Sequence, residues 1–111
     1  MIQRGDIWRA DLDPTTGHEQ GRTRPCLIMS ENSFNNGPAN LVIIIPLTTT
    51  NRSIPLHVEI HPTEGGISNT SYILCDQLRT ISTTRLKECW GQVSDDTMIE
   101  VEKRVRQLLG L

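Results

Sequence analysis

The sequence predicts a mainly β protein, a small barrel of short strands closed by a C-terminal helix. Before residue 94, short segments either alternate apolar and polar residues or run through β-branched ones, as strands do. The clearest helical periodicity lies in the last segment, residues 94–111. At 111 residues the chain fits one domain with one core, which we expect to span residues 1–111.

The first two strands flank a polar loop. Trp8, Ala10 and Leu12 alternate with charged residues, which indicates a half-buried strand. "DPTTG" then supplies turn residues, because proline and glycine both interrupt regular structure. "CLIMS" predicts a second strand that is covered on both faces, and the composition of "ENSFNNGPAN" predicts a surface loop.

The third strand, "LVIIIPLTTT", is rich in β-branched residues and is predicted to be central. Proline cannot donate to a sheet ladder, so Pro46 marks a strand end, a bulge or an edge. We therefore expect Thr48, Thr49 and Thr50 to lie where the strand leaves the sheet.

Three further strands are predicted. "LHVEI" has Leu56, Val58 and Ile60 on one face and polar residues on the other. "SYILCDQLRTI" reads as one strand whose apolar residues are interrupted by Asp76 and Gln77, and "CWGQV" as a shorter one.

The last segment, "SDDTMIEVEKRVRQLLGL", has the features of a capped amphipathic helix. Ser94 suits the N-cap, and Asp95 and Asp96 suit the positive helix start. Apolar residues recur at helical spacing and predict a stripe that packs on the core: Met98, Val101, Val105 and Leu108.

Composition excludes several classes of protein. A net charge of −2 and a pI near 5.9 argue against binding nucleic acid through bulk positive charge. No apolar run approaches the roughly 20 residues that span a bilayer, and the start does not resemble a signal peptide, so we expect a cytoplasmic protein. Cys26, Cys75 and Cys89 are widely spaced, which predicts reduced, buried thiols.

The stretch "GHEQGRTRPCLIMS" places charged residues directly before a buried strand. Metal-free RNA cleavage needs a base, an acid and fixed donors for the charge on the transition state. Arg24 suits the donor role, His18 titrates near neutral pH, and Glu19 has the reach to orient Arg22 or Arg24. A solvated loop with a surface ion pair explains the same residues.

Two other clusters have a functional and a structural interpretation. The hydroxyls of Thr48 to Thr50 suit either a phosphate oxygen or, more commonly, turn capping. Asp76 lines a cleft or forms a structural ion pair, because an unpaired carboxylate is costly to bury.

His57, Glu59 and His61 share one face of a strand at alternate positions. Three ligands without a partner cluster favour an exposed strand face over a metal site. We expect neither a metal nor a cofactor, and the sequence has no phosphate-binding glycine loop, GxSxG elbow or Rossmann fingerprint.

Three segments, "RGDIWRADLDPTTGHEQGRTRPCLIMS", "PLTT" and "CDQLRTI", resemble the MazF/PemK family of toxin endoribonucleases. The resemblance implies an SH3-like β-barrel of the CcdB/MazF type, acting as a homodimer. It implies metal-independent cleavage of single-stranded RNA, chiefly mRNA, at short motifs, leaving 2′,3′-cyclic phosphate and 5′-hydroxyl ends. It also implies a cognate antitoxin of the MazE/PemI type, through which alone the toxin would contact DNA.

The resemblance also implies roles for individual residues. Arg24 matches the family's catalytic arginine and Thr48 its catalytic threonine, while His18 and Asp76 resemble residues given catalytic roles in PemK-like members. Those members often carry arginine where this chain has Leu74, which places an Arg–Asp pair in doubt. Five further residues are expected to contact RNA: Glu19, Gln20, Arg22, Thr49 and Gln77.

Two alternatives belong to other functional classes. The barrel also resembles that of CcdB, a toxin that poisons DNA gyrase by binding it through a terminal Trp-Gly-Ile. Here the end reads Leu109-Gly110-Leu111 and Trp90-Gly91 is internal, which disfavours gyrase binding. An inactive RNA or protein binder is the other alternative, and the presence of Arg24 and Thr48 speaks against it.

Overall fold

The computed structural model describes residues 1–19 and 21–111, and these residues form seven strands and two α-helices. The strands are β1 (Asp6–Asp11), β2 (Thr23–Ile28), β3 (Leu41–Thr48), β4 (His57–Ile60), β5 (Ser71–Leu74), β6 (Arg79–Ser82) and β7 (Leu86–Gln92). The helices are α1 (Asn32–Asn35) and α2 (Asp95–Leu109).

Every strand pairing is antiparallel, in the order β4-β5-β3-β2-β1-β7, with β6 paired to β3 beside this path. The predicted fold class, mainly β with one C-terminal helix, is confirmed. The sheet is not closed into a barrel, because no ladder joins β6 to β7 in the described part of the chain. A 3₁₀ turn at Thr83–Arg85 connects these two strands.

Pro46 lies inside β3, where the strand changes its neighbour. Residues Leu41 to Ile44 pair with β6, whereas Leu47 and Thr48 pair with β5. The missing N–H of proline therefore falls at the junction of two ladders. The prediction that the strand leaves the sheet near Thr48 is confirmed, since β3 ends there.

Each face of the sheet carries its own hydrophobic core. The helix-side core includes Ile7, Leu27, Ile45 and Leu47 together with Met98 and Val101 of α2. The strand-side core consists of Ala10, Leu12, Cys26, Ile28, Val42, Ile44 and Ile81. Neighbouring residues of one strand alternate between these cores, which explains why the middle of β2 is buried on both faces as predicted.

The helix α2 begins and ends as predicted. The Ser94 hydroxyl accepts a hydrogen bond from the Thr97 amide, and Gly110 takes a left-handed conformation at φ 72°. Glu64 reinforces the start, because its carboxylate accepts the Ser94 amide at 3.0 Å and the Thr97 hydroxyl at 2.5 Å. Burial alone would raise the pKa of Glu64, but these hydrogen bonds outweigh it and hold the pKa below its ordinary value.

Four sequence predictions are wrong in detail. The segment 31–40 contains α1, and "SYILCDQLRTI" is two strands separated by a 3₁₀ turn at Cys75–Gln77. The apolar stripe of α2 stops at Val105, because Leu108 is exposed. Cys26 and Cys75 are buried free thiols, but Cys89 is exposed.

Neither described helix has the length and apolar character needed to span a membrane.

Candidate functional site

Arg24 lies in β2 beside the loop that joins β1 to β2, and it is half-buried. It pairs with Ala10 and is two residues from Cys26, so its side chain lies on the face of the strand-side core. Its Nε donates a hydrogen bond to the Gly21 carbonyl at 2.8 Å. The guanidinium therefore stands at the end of that core, held by the loop.

Thr48 ends β3 and is 6% exposed. Its hydroxyl oxygen accepts the Thr50 amide at 3.2 Å, which leaves the hydroxyl hydrogen to donate elsewhere. The ladder between β2 and β3 pairs Cys26 with Pro46. Continued by two residues, this register sets Thr48 opposite Arg24, on the same face of the sheet.

Arg79 of β6 is a second arginine at this end of the strand-side core. It pairs with Ile44, whose side chain belongs to that core. Its Nη1 donates to the Leu12 carbonyl at 3.3 Å and lies 3.9 Å from the Glu19 carboxylate. Arg79 thus connects the start of β6 to two points of the β1–β2 loop, Leu12 and Glu19.

The charges of both arginines affect the pKa of the Cys26 thiol. Burial raises the pKa of Cys26 to about 12, and the nearby positive charges of Arg79 and Arg24 offset part of that rise. The sequence does not predict Arg79 as a site residue, although the segment "CDQLRT" contains it. The pairing of β6 with β3, which brings Arg79 to the site, could not be read from the sequence.

His18 and Glu19 are exposed in the β1–β2 loop. The Gln77 side-chain amide donates to the His18 carbonyl at 3.3 Å, so Gln77 touches the loop as part of the same region. The Glu19 carboxylate accepts the Thr16 hydroxyl at 2.9 Å and faces Arg79. The sequence predicts Arg22 or Arg24 as the partner of Glu19, whereas in the structure Glu19 is paired with Arg79.

The remaining loop residues are less closely tied to Arg24. Arg22 is exposed at φ 64°, and its amide donates to the Asp13 carboxylate at 2.8 Å. Gln20, which we expected to contact RNA, lies outside the described residues. Thr49 is exposed and lies just beyond the end of β3.

Asp76 is paired with a histidine. Its carboxylate lies 2.8 Å from Nε2 of His57, whose side chain is 4% exposed. The structure thus favours the structural pair over the cleft for Asp76. Related proteins often have arginine where this chain has Leu74, which is fully buried. The pair between that arginine and Asp76 is therefore absent from the described residues, and His57 is the partner of Asp76 instead.

His57 also corrects the prediction of an exposed strand face. Its Nδ1 is buried and has no hydrogen-bond partner among the described residues. Glu59 and His61 do lie at the surface, 3.1 Å apart. Within residues 1–19 and 21–111, no group of three or more metal-ligating side chains is assembled.

Taken together, Arg24, Thr48 and Arg79 offer two permanent positive charges and a hydroxyl at one end of a buried core. Arginine presents planar donors that match phosphate oxygens, and partial burial strengthens such bonds. The fold and this site define a small antiparallel β protein with two arginines and a threonine at one end of its strand-side core.

The comparison with known proteins then gives the family. The model of the PemK-like, MazF-like toxins of type II toxin–antitoxin systems matches residues 3–109, and the chain belongs to this family.

Solved structures agree in fold over almost the whole chain. MazF from Deinococcus radiodurans is 28% identical with a TM-score of 0.86, the similarity covering 99% of this chain and 97% of that one. A mycobacterial endoribonuclease in complex with its cognate antitoxin is 30% identical with a TM-score of 0.81, covering 100% and 97%. The MazE–MazF complex of D. radiodurans includes a chain 27% identical, with a TM-score of 0.81 and coverages of 99% and 96%.

Proposed function

We propose that this protein is a sequence-selective, metal-independent endoribonuclease that cuts single-stranded RNA, chiefly mRNA, and thereby stops translation and growth. The observation that carries the proposal is that Arg24 is half-buried where β2 meets its loop and Thr48 ends the adjacent strand β3, and the β2–β3 register extended by two residues sets them opposite each other. The similarity to a mycobacterial endoribonuclease supports it.

The proposed reaction is an internal phosphoryl transfer. The 2′-oxygen forms a bond to the neighbouring phosphorus as the bond to the 5′-oxygen breaks, giving a 2′,3′-cyclic phosphate and a 5′-hydroxyl. The Arg24 guanidinium stabilises the charge that builds on the phosphate oxygens, and the Thr48 hydroxyl donates to one of them. Arg79 adds a second positive charge at the same end of the core and holds Glu19 and the loop.

A base must take the proton of the 2′-hydroxyl and an acid must give a proton to the departing 5′-oxygen. His18 and Asp76 are candidates for these roles, and Arg24 is a further candidate for the acid. His18 is exposed in the loop beside Arg24, with an imidazole suited to acid or base work near neutral pH. Asp76 has one carboxylate oxygen bonded to His57 and is itself exposed. We favour His18, because the bond to His57 restrains Asp76.

We propose that the partners are RNA, a second copy of the chain and a cognate antitoxin, all in the cytoplasm. The similarity to MazF in complex with MazE and to an endoribonuclease bound to its antitoxin supports the antitoxin. Contact with DNA would occur only through that antitoxin. The RNA-contacting residues expected besides the catalytic ones, including Arg22, Thr49 and Gln77, belong to this proposal.

The test is RNA cleavage in EDTA by the purified protein and by Arg24→Ala. We expect cleavage of the native protein to persist in EDTA and to leave 5′-hydroxyl ends, and kcat to fall by about 100-fold or more in the variant. Arg106→Ala is the matched control, since Arg106 is exposed in the last turn of α2 and should leave cleavage unchanged.

A substrate with 2′-deoxyribose at the cleavage position should survive, because it lacks the attacking oxygen. Cleavage of that substrate would contradict the reaction. A requirement for metal, or full activity in Arg24→Ala, would contradict the site.

A further inference from the structure

Two adjoining depressions in the surface meet at Trp90. One has a volume of about 240 Å³ and includes Pro25, Thr49 and Ser71 in its lining. The other, of about 310 Å³, is lined by residues that include Gly66. Trp90 and Ser68 line both depressions, which we describe together as one groove.

The backbone around Trp90 is fixed by close packing. Gly66 has φ +78°, and a Cβ at this position would lie 2.3 Å from the Trp90 carbonyl oxygen. Only glycine allows the loop before β5 to approach β7 so closely. The Trp90 indole Nε1 donates to the Glu88 carboxylate at 2.8 Å, and the residue is 36% exposed. The indole is thus an oriented, accessible aromatic surface.

The groove begins one residue from the proposed phosphate site. Pro25 and Thr49 line it, and each directly follows a residue of that site, Arg24 and Thr48. Consecutive Cα atoms are about 3.8 Å apart, and the side chains of Arg24 and Pro25, which both lie in β2, point to opposite faces of the sheet. A single strand of RNA that crosses this end of the sheet would leave a phosphate on one face and meet the groove on the other.

The other groove residues are neutral, and three of them, Ser68, Asn69 and Ser71, are polar. Ser68 and Asn69 are exposed, and neither side chain forms a hydrogen bond with any described residue. Ser71 is buried, its hydroxyl donating to the Asn69 carbonyl at 2.8 Å, which steadies this part of the loop. An aromatic face beside uncommitted neutral donors and acceptors suits the flat, polar-edged shape of a nucleobase. No lining residue carries the positive charge that a phosphate or an acidic peptide would select.

We propose that this groove is a nucleobase subsite: the base next to the scissile phosphate stacks on Trp90, and Ser68 and Asn69 bind its edge. This inference rests on the proposed ribonuclease function and assigns part of its specificity to residues that the catalytic constellation does not include. Trp90 binds the substrate but takes no part in the chemical step.

Trp90 fluorescence gives the direct test. Trp8→Phe leaves Trp90 as the sole tryptophan, since the chain has two. This variant is titrated with a single-stranded RNA that carries 2′-deoxyribose at the mapped cleavage position. We expect saturable quenching of the Trp90 emission, whereas a double-stranded form of the same sequence should leave the emission unchanged.

Kinetics of Trp90→Ala and Trp90→Phe complete the test on cleavable RNA. We expect KM to rise about tenfold in Trp90→Ala, since loss of a stacked base weakens binding by about that factor. The kcat should stay within about twofold, as expected for a residue that contributes only to binding. Trp90→Phe keeps an aromatic face and should recover most of the loss.

The possible outcomes distinguish a failure of the proposed subsite from a failure of the proposed ribonuclease function. Normal cleavage with unquenched Trp90 emission and unchanged KM in Trp90→Ala would overturn the subsite and leave the ribonuclease in place. No binding and no cleavage of any RNA by the native protein would overturn the proposed function and the subsite with it.

Discussion

On one face of β2 and β3, a buried aliphatic core ends near Arg24 and Thr48, and on the other face lies the helix-side core, whose Ile67 lines the groove together with Pro25 and Thr49. The two cores are built alike, from branched aliphatic residues with little or no exposure. Their ends differ. The strand-side core ends in guanidinium groups and a hydroxyl, while the helix-side core ends in a neutral groove with Trp90.

The difference shows how two adjacent strand ends can divide the recognition of one nucleotide. Residues that follow one another in a strand point to opposite faces, so neighbouring residues can present different functional groups on the two faces of the sheet. The charged end suits phosphate and the neutral end suits a base. Each of the following predictions compares one face with the other, or the site with the far end of the fold.

The largest expected effect separates the two neighbouring threonines. Thr48→Val removes a hydroxyl from the charged face with little change of shape, and we expect kcat to fall by about tenfold or more. Thr49→Val changes the neutral face, and here KM should rise, by about threefold, with kcat maintained. Steady-state kinetics on one RNA substrate measure both constants.

Thr48→Ser is the control, because it restores the hydroxyl and should restore most of the activity. If both valine variants reduced kcat equally, the division between the two faces would be wrong.

A smaller effect is expected from the two cores themselves. Ile44 and Ile45 are adjacent and fully buried, and they face opposite cores. Ile44→Val and Ile45→Val each remove one methylene group and should each lower the free energy of unfolding by about 1 kcal/mol in urea denaturation. Because Ile44 pairs with Arg79, only Ile44→Val should also lower kcat, by about threefold. A larger loss of kcat in Ile45→Val would show that the helix-side core supports the chemistry instead.

The smallest expected effect lies at the start of α2, at a residue that lines neither the phosphate site nor the groove. Glu64→Gln replaces a carboxylate that accepts hydrogen bonds from Ser94 and Thr97, and should lower the free energy of unfolding by about 0.5–1 kcal/mol at pH 7. The pKa of Glu64 is lowered from 4.5 in the folded protein. Its stabilising contribution is therefore present above pH 4.5 and is lost as the pH falls through the folded value.

Thermal denaturation of both proteins across this pH range measures the effect. The difference in Tm should shrink on acidification, and RNA cleavage at pH 7 should be unchanged. Glu102→Gln is the matched control: it breaks an exposed pair with Arg4, which contributes little. A difference in Tm that stayed constant down to pH 3 would rule out the carboxylate as its source.

Local patterns predicted much of this fold. The alternation of Ala10 and Leu12, the β-branched run of β3 and the cap at Ser94 each depend on neighbours in sequence, and the structure confirms them. The joining of β6 to the first half of β3 depends on sheet topology, so the place of Arg79 at the site could not be predicted.

The same reason explains the errors. The alternation in "LHVEI" correctly predicts that His57 and Val58 lie on opposite faces of the strand. It could not predict the 3₁₀ turn at Cys75–Gln77, where Asp76 pairs with the buried His57 ring. The exposure of Cys89 follows from its position in β7, which pairs on one side with β1 and has no second partner strand in the described chain. The roles of His18, Arg24, Thr48 and Asp76 in catalysis stay predictions.

The change of partner along β3 has a consequence for local opening of the fold. Thr48 is hydrogen-bonded into the ladder with β5, whereas Arg79 belongs to the ladder on the other side of Pro46. Fluctuations of the β4–β5 hairpin would therefore move Thr48 relative to Arg24 while β6 stays in place. In amide hydrogen exchange, Leu47 and Thr48 should exchange together with β5, and the first half of β3 together with β6.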